Sequence, residues 1–122
     1  MNIVIVDDSK LMRYFLEDLV GNIETNKKHD IISFSNGKEA FDYISLGKDI
    51  DIVLTDVKMP VMDGLTLLHK IRESSLYRNT PVIVVTSSNV TINDVILDNY
   101  TYLLKKPYNP EVLKKLIKAA VK

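Results

Sequence analysis

The feature that most constrains this chain is the alternation of two hydrophobic periods along its 122 residues, each strand-like run being cut off by a polar residue. Asn2–Val6 reads N-I-V-I-V, a short β-branched run that stops at two acids, Asp7 and Asp8. Unbroken apolar runs of this kind suit strands buried on both faces of a parallel sheet. After Ser9 the period changes. Leu11, Met12, Phe15, Leu16, Leu19, Val20 and Ile23 recur at helical spacing and predict the apolar face of a helix. Residues 31–34 predict a second strand, and Ala40, Phe41 and Ile44 a short second helix. Ile52–Thr55 predicts a third strand, halted by Asp56, and Leu65, Leu68 and Ile71 a third helix. Residues 82–85 (V-I-V-V) predict a fourth strand ending in Thr86-Ser87-Ser88, and residues 102–104 a fifth, closed by Lys106-Pro107. Val112, Leu113, Leu116, Ile117 and Ala120 define the last helix, with Asn109 as its N-cap and Pro110 at its first position.

Five strands alternating with helices predict an α/β fold: a doubly wound parallel sheet covered by helices on both faces. The length suits one domain, residues 1–122. Hydrophobic residues at 46% and charged residues at 26% are globular proportions. Lys plus Arg equals Asp plus Glu at 16 each, so there is no basic field for nucleic acid. Cysteine is absent, which excludes disulfides, thiolate metal sites and a Cys nucleophile. No apolar run approaches the ~18 residues of a membrane span, and Met1 leads straight into a strand-like run. The expected location is the cytoplasm.

In a parallel sheet the residues after each strand share one edge, where such folds bind their ligands. Asp7, Asp8, Asp56, Thr86 and Lys106 would then meet at a single crevice. Each alone has an ordinary explanation, as a helix cap, a turn or a strand end. Together the carboxylates repel and raise one another's pKa, an arrangement best relieved by a cation. Oxygen ligands without thiolate favour a hard ion, and Mg²⁺ fits a few carboxylates plus waters and phosphate oxygens. Three carboxylates balance one divalent cation and the Lys106 ammonium. Such a site suits phosphoryl transfer, with one carboxylate able to act as nucleophile and form an acyl phosphate. The chain lacks a Gly-rich phosphate cradle, so a nucleotide is not the obvious donor.

The segments V-D-D-S-K-L-M-R, L-T-D-V-K-M-P-V-M-D-G, V-V-T-S-S and K-K-P resemble the receiver domain of two-component response regulators, the CheY-like family, from Asn2 to about Val121. The resemblance implies a flavodoxin-like sheet of order 2-1-3-4-5. It implies that Asp56 is the phosphoacceptor, that Asp7, Asp8, Asp56 and the backbone carbonyl of Lys58 hold Mg²⁺, that Thr86 is the switch hydroxyl and that Lys106 pairs with the phosphoryl group. It also implies a cis Lys106-Pro107 bond. The phosphoryl donor would be a phosphohistidine on a sensor histidine kinase or histidine phosphotransfer protein. The D-D-S start followed by Met12-Arg13 is chemotaxis-like. The chain would be a stoichiometric phosphoacceptor and not an enzyme, monomeric or dimerising on phosphorylation. If it is complete, its output is a contact with a downstream protein, without nucleic acid or membrane.

Two departures from the family pattern stand out. The family places an aromatic switch residue three positions before the lysine; Leu103 precedes Lys106 by three and Tyr102 precedes Lys105 by three. Lys106 takes the phosphoryl contact because it adjoins Pro107, and Tyr102 is assigned as the switch aromatic. A one-residue slip would invert faces. Residues 89–100 (N-V-T-I-N-D-V-I-L-D-N-Y) stand where the family has its fourth helix, yet hold few good helix formers, predicting a short or irregular element. His29 and His69 lack ligand spacing and are expected in solvent. Lys114, Lys115, Lys118 and Lys122 give the last helix a basic side. Two other readings of the same carboxylates are a Mg²⁺-dependent phosphatase and a pseudo-receiver that docks partners unphosphorylated. The phosphatase motif spaces its aspartates one residue apart, unlike the adjacent Asp7 and Asp8. The complete acid, hydroxyl and lysine set opposes the pseudo-receiver. A flavin-binding domain of this topology would want a Ser/Thr-rich loop where this chain has acids.

Overall fold

The computed structural model describes residues 1–24, 28–86 and 98–121. β1 (Asn2–Val6), β2 (Asp30–Phe34), β3 (Ile52–Thr55), β4 (Val82–Thr86) and β5 (Thr101–Lys105) form one parallel sheet in the order β2-β1-β3-β4-β5. Among the described residues the strands are joined by α1 (Lys10–Gly21), α2 (Gly37–Ile44) and α3 (Gly64–Glu73), and α4 (Pro110–Ala120) follows β5. The predicted elements and sheet order are therefore present. The expectation for residues 89–100 falls largely outside the described residues, of which 98–100 form a turn.

Strand side chains alternate faces, so the apolar runs supply two cores at once. Val4, Val6, Val53, Val82 and Val84 pack with Ala40, Ile44, Leu67, Leu68 and Ile71 beneath α2 and α3. Ile3, Ile5, Ile52, Leu54, Ile83 and Val85 pack with Leu16, Leu19, Val20, Leu113 and Ile117 beneath α1 and α4. The helices start where local chemistry allows. Ser9, Asn36, Asp63 and Asn109 each cap a helix by accepting a backbone N–H from its first turn. Such caps contribute about 1 kcal/mol each.

Two expectations need correction. Leu11 and Phe15, read as part of the buried stripe of α1, are 77% and 43% exposed. The contact line runs through Leu16, Leu19, Val20 and Ile23, and the Leu11–Phe15 line lies to one side of it. His29 is not simply solvated either. It is half-buried, and its Nε2 lies 2.7 Å from the Ile23 carbonyl oxygen. Its place just before the edge strand folds the ring back over the end of the α1 connection. His69 is exposed, as expected.

Arg72, near the end of α3, ties three elements together. Its Nε donates to Asp98 Oδ2 at 2.9 Å, Nη1 to the Thr80 carbonyl at 2.7 Å, and Nη2 to the Tyr100 carbonyl at 3.0 Å and Thr101 Oγ1 at 2.8 Å. A planar guanidinium with five donors suits this convergence of acceptors. The start of β4 and the approach to β5 are thereby fixed to one side chain.

Candidate functional site

The acids and the lysine of the expected site sit just past strands, and neighbouring strands pin the backbones of Asp7, Asp56 and Lys106. The Asp7 N–H donates to the Phe34 carbonyl at 3.0 Å, the Asp56 N–H to the Val6 carbonyl at 2.9 Å, and the Lys106 N–H to the Thr86 carbonyl at 2.8 Å. These bonds carry the sheet ladder one step beyond β1, β3 and β5. They bring chemistry-bearing side chains to the carboxyl edge in fixed register.

One oxygen from each of Asp7, Asp8 and Asp56 lies within 4.8 Å of the others. Lys106 Nζ stands 3.5 Å from Asp56 Oδ2 and 3.7 Å from Asp7 Oδ2. Both are longer than the ~2.7–2.9 Å of a tight ammonium–carboxylate bond. Asp56 Oδ1 accepts the Val57 N–H at 2.7 Å, which leaves Oδ2 turned toward the lysine. Asp7 is buried at 2% exposure, Asp56 is half-buried and Asp8 is exposed. The D-D-S sequence builds its own turn: Asp7 Oδ1 accepts the Ser9 N–H at 2.9 Å, and Ser9 Oγ in turn caps α1. Burial pushes the Asp7 carboxyl above its ordinary value, opposed by the Ser9 N–H and the Lys106 ammonium and reinforced by the Asp56 and Asp8 charges. A carboxylate held in this way gains from any cation placed between the three acids. Carboxylates alone, with no sulfur or imidazole, are the donor set of a hard oxygen-seeking ion such as Mg²⁺.

Of the two lysines, Lys106 is the one turned into the site. Lys105 is exposed and stands opposite Thr86 in the β4–β5 register. Thr86 is fully buried at the end of β4. Lys58 is exposed in the loop two residues beyond Asp56. Tyr102 is not brought to the site. It packs with the α1–α4 core, whereas Leu103 packs with the α2–α3 core. Alternation along β4 places Thr86 on the side of Val82 and Val84, the α2–α3 side, so Leu103 and not Tyr102 shares its face. The assignment of Tyr102 as switch aromatic is corrected accordingly. The cause is register: the lysine of the site is Lys106, and counting from Lys105 inverts the face.

Three residues of the site's surroundings lie in the quoted motifs but were given no structural role by the sequence. Arg13 Nη1 donates to the Asp7 carbonyl at 2.6 Å, holding the β1–α1 turn. Gly64 donates its N–H to the Val57 carbonyl at 2.8 Å and closes the loop after Asp56. Val61 lies at φ +69°, a left-handed conformation that β-branched residues rarely adopt. It centres a three-residue turn in which the Met62 N–H donates to the Pro60 carbonyl at 2.7 Å. A positive φ makes this the rarer, strained form of that turn. The valine side chain is 77% exposed, so packing offers no compensation. Val61→Gly is therefore expected to stabilise the fold by about 1 kcal/mol, the relieved strain exceeding the added flexibility of glycine. Urea denaturation checks this, and an unchanged or lower midpoint counts against strain at this position.

Residues 3–118 match the response regulator receiver domain family. The Chemotaxis protein CheY homolog of Campylobacter jejuni is 33% identical over 93% of this chain and 87% of its own length. The chemotaxis response regulator CheY4 of Vibrio cholerae is 26% identical, with a TM-score of 0.83 over 98% of this chain and 97% of that one. The receiver domain of a sensor histidine kinase from Pseudomonas aeruginosa, solved with a magnesium ion in its active-site cleft, shares the fold at 18% identity, with a TM-score of 0.82 over 98% and 96% of the two chains. Among the described residues no helix is long and apolar enough to cross a membrane. The family match spans nearly the whole sheet and all of its carboxyl edge, and the chain belongs to the response regulator receiver domain family.

Proposed function

We propose that this receiver is a phosphorylation-activated switch in a two-component or chemotaxis-type phosphorelay, accepting a phosphoryl group on Asp56 from a phosphohistidine donor. The observation that carries the reading is the juxtaposition of Asp56 Oδ2 with Lys106 Nζ at 3.5 Å beside the three-carboxylate cluster. In the transfer, a carboxylate oxygen of Asp56 attacks phosphorus, and the P–N bond of the donor breaks as the acyl phosphate P–O bond forms. The imidazole leaves with the electron pair of the broken bond. Asp7, Asp8, Asp56 and the Lys58 carbonyl are the residues that would hold Mg²⁺, which when bound neutralises charge on the phosphoryl oxygens. Lys106 gains a closer partner once a phosphoryl oxygen stands between it and Asp56. Thr86, buried at the adjacent strand end, is the hydroxyl that reaches the same group.

These contacts exist only in the phosphorylated state, so they bias a two-state equilibrium. Charge-assisted hydrogen bonds contribute about 1.5–3 kcal/mol each. Two supply about 3–6 kcal/mol, against the ~5.5 kcal/mol that moves a population from 1:99 to 99:1. The donor is a sensor histidine kinase or histidine phosphotransfer protein, and the output is a contact with a downstream protein. The chain acts stoichiometrically in the cytoplasm as a single domain, residues 1–122, without nucleic acid.

The test is incubation with Mg²⁺ and acetyl phosphate, followed by intact mass. The wild type is expected to gain one phosphoryl group, and Asp56→Asn to take it up at least about 100-fold more slowly. Equal uptake by both proteins moves the acceptor to another residue. No uptake by either, with a phosphohistidine donor also tried, replaces the switch with an unphosphorylated docking module.

A further inference from the structure

Beside the carboxylate cluster lies a buried polar group that no step above uses. Tyr108 follows the cis Lys106-Pro107 bond and packs its ring against the α1–α4 core. Its hydroxyl oxygen is withdrawn from solvent, yet among the described residues it has no hydrogen-bond partner. Together with Met12, Phe15, Lys106 and Pro107 the tyrosine lines an open groove of about 270 Å³. Every lining residue except the tyrosine and the lysine is apolar, so a phenylalanine would suit this place better than a tyrosine. Orphaned buried hydroxyls are rare in folded proteins, because the group loses its bonds to water without replacement.

The groove adjoins the site through Lys106, whose ammonium faces Asp56 and Asp7. The Asp7 carboxylate itself has acceptor capacity to spare. Its Oδ1 takes the Ser9 N–H, while Oδ2 faces Lys106 only at 3.7 Å. The phenol and this carboxylate also feel each other: burial first, and then the Asp7 charge, push the Tyr108 hydroxyl above its ordinary value. A phenol hydroxyl is a donor at neutral pH.

We propose that Tyr108 is a positioning residue of this site, its hydroxyl donating to the Asp7 carboxylate, directly or through one water in the groove, when a cation is bound among the three acids. The hydrogen bond fixes the Asp7 carboxylate, and Lys106 is released toward Asp56. A one-water bridge is nearly as favourable as a direct bond and fits a groove of this size. The inference rests on the reading of this edge as a cation-assisted phosphoacceptor site.

Tyr108→Phe removes the hydroxyl and keeps the ring. Titration calorimetry with Mg²⁺ alone is expected to show binding about 3–10-fold weaker than in the wild type, the worth of one hydrogen bond. Without Mg²⁺ the variant is expected to melt about 2–5 °C higher, because its buried orphan is gone. A purely structural tyrosine would shift the melting temperature and leave Mg²⁺ affinity unchanged, and that result overturns the proposal. A lower melting temperature in the metal-free variant also overturns it, by showing that the hydroxyl was already partnered. Neither readout requires phosphoryl transfer. A wild type that binds Mg²⁺ yet takes no phosphoryl group defeats the phosphoacceptor reading alone, and unchanged Mg²⁺ affinity in Tyr108→Phe defeats this inference alone.

Discussion

Gly64→Ala is expected to lower the stability of the fold by about 3 kcal/mol or more, the upper end of the cost of overpacking. A Cβ at this position would fall 1.8 Å from the Asp56 carbonyl oxygen, 2.9 Å from its carbonyl carbon and 3.1 Å from Thr55 Oγ1. The nearest two atoms are backbone of the strand end that carries Asp56, so no side-chain rotation relieves the clash. Either α3 moves away from β3 or the Asp56 peptide turns. Both displace the carboxylate relative to Lys106. Molecules that still fold should therefore also take up phosphoryl groups more slowly, a loss out of proportion to the unfolded fraction. Gly47 is the control, since a Cβ there meets nothing within 4 Å and only its φ of +81° resists substitution. Gly47→Ala should cost about 1–2 kcal/mol and leave phosphoryl uptake intact. Equal losses for the two variants in urea denaturation would falsify the close-approach account of Gly64.

Arg72→Ala is expected to cost about 3 kcal/mol, in the range for breaking a largely buried ion pair. The side chains of Arg72 and Asp98 are 10% and 28% exposed, and four acceptors each lose one hydrogen bond at once. The same pair gives the fold a dependence on acid. Burial raises the Asp98 carboxyl, but the Tyr100 N–H, the Thr101 hydroxyl and the Arg72 guanidinium together outweigh it and hold the pKa below its ordinary 3.8. A carboxyl whose pKa is lower folded than unfolded adds stability that is fully present above the unfolded pKa. It is lost as pH falls from about 4 through the lower folded value. Asp98→Asn keeps an oxygen for the Tyr100 N–H and removes the charge. Its urea midpoint is expected to fall at pH 7 and to converge with that of the wild type toward pH 2. Parallel curves across that range would place the acid sensitivity elsewhere.

Much of this structure was legible in the sequence, for a reason visible in β1, β3 and β4. Their unbroken β-branched runs have only one comfortable place, the middle of a parallel sheet, and that choice fixes which residues meet at the edge. Asp7, Asp56 and Lys106 come together because each sits just past a strand of that sheet, and Thr86 ends the strand between β3 and β5. The two lysines could be ranked only through Pro107, and the tyrosine could not be placed from sequence at all. Side-chain alternation turns a one-residue shift into a change of face, which is why Tyr102 lies over the α1–α4 core while Leu103 takes the side of Thr86. Leu11 and Phe15 extended the helical pattern without entering the core, because periodicity reports an apolar face and not how far the sheet reaches under it.

Other features left no local trace. Arg72 finds its acceptors 8 to 29 residues along the chain, so no short motif announces it. Val61 occupies a left-handed position where glycine or asparagine would have given a signal, and a valine gives none. Tyr108 is indistinguishable in sequence from any half-buried strand-end aromatic. Its lack of a partner among the described residues emerges only from the folded structure. Val61 and Tyr108 each break a local rule, and such breaks concentrate near functional sites.

The central claim is that Asp56 carries the phosphoryl group, and borohydride trapping tests it most directly. Borohydride reduces an acyl phosphate to an alcohol, so the acceptor aspartate becomes homoserine and can be located by peptide mass. After incubation with Mg²⁺ and acetyl phosphate, homoserine is expected at position 56 and nowhere else, and only when Mg²⁺ is present. Homoserine at position 7 or 8, or an aspartate at 56 left intact in protein that has gained a phosphoryl group, would contradict the account.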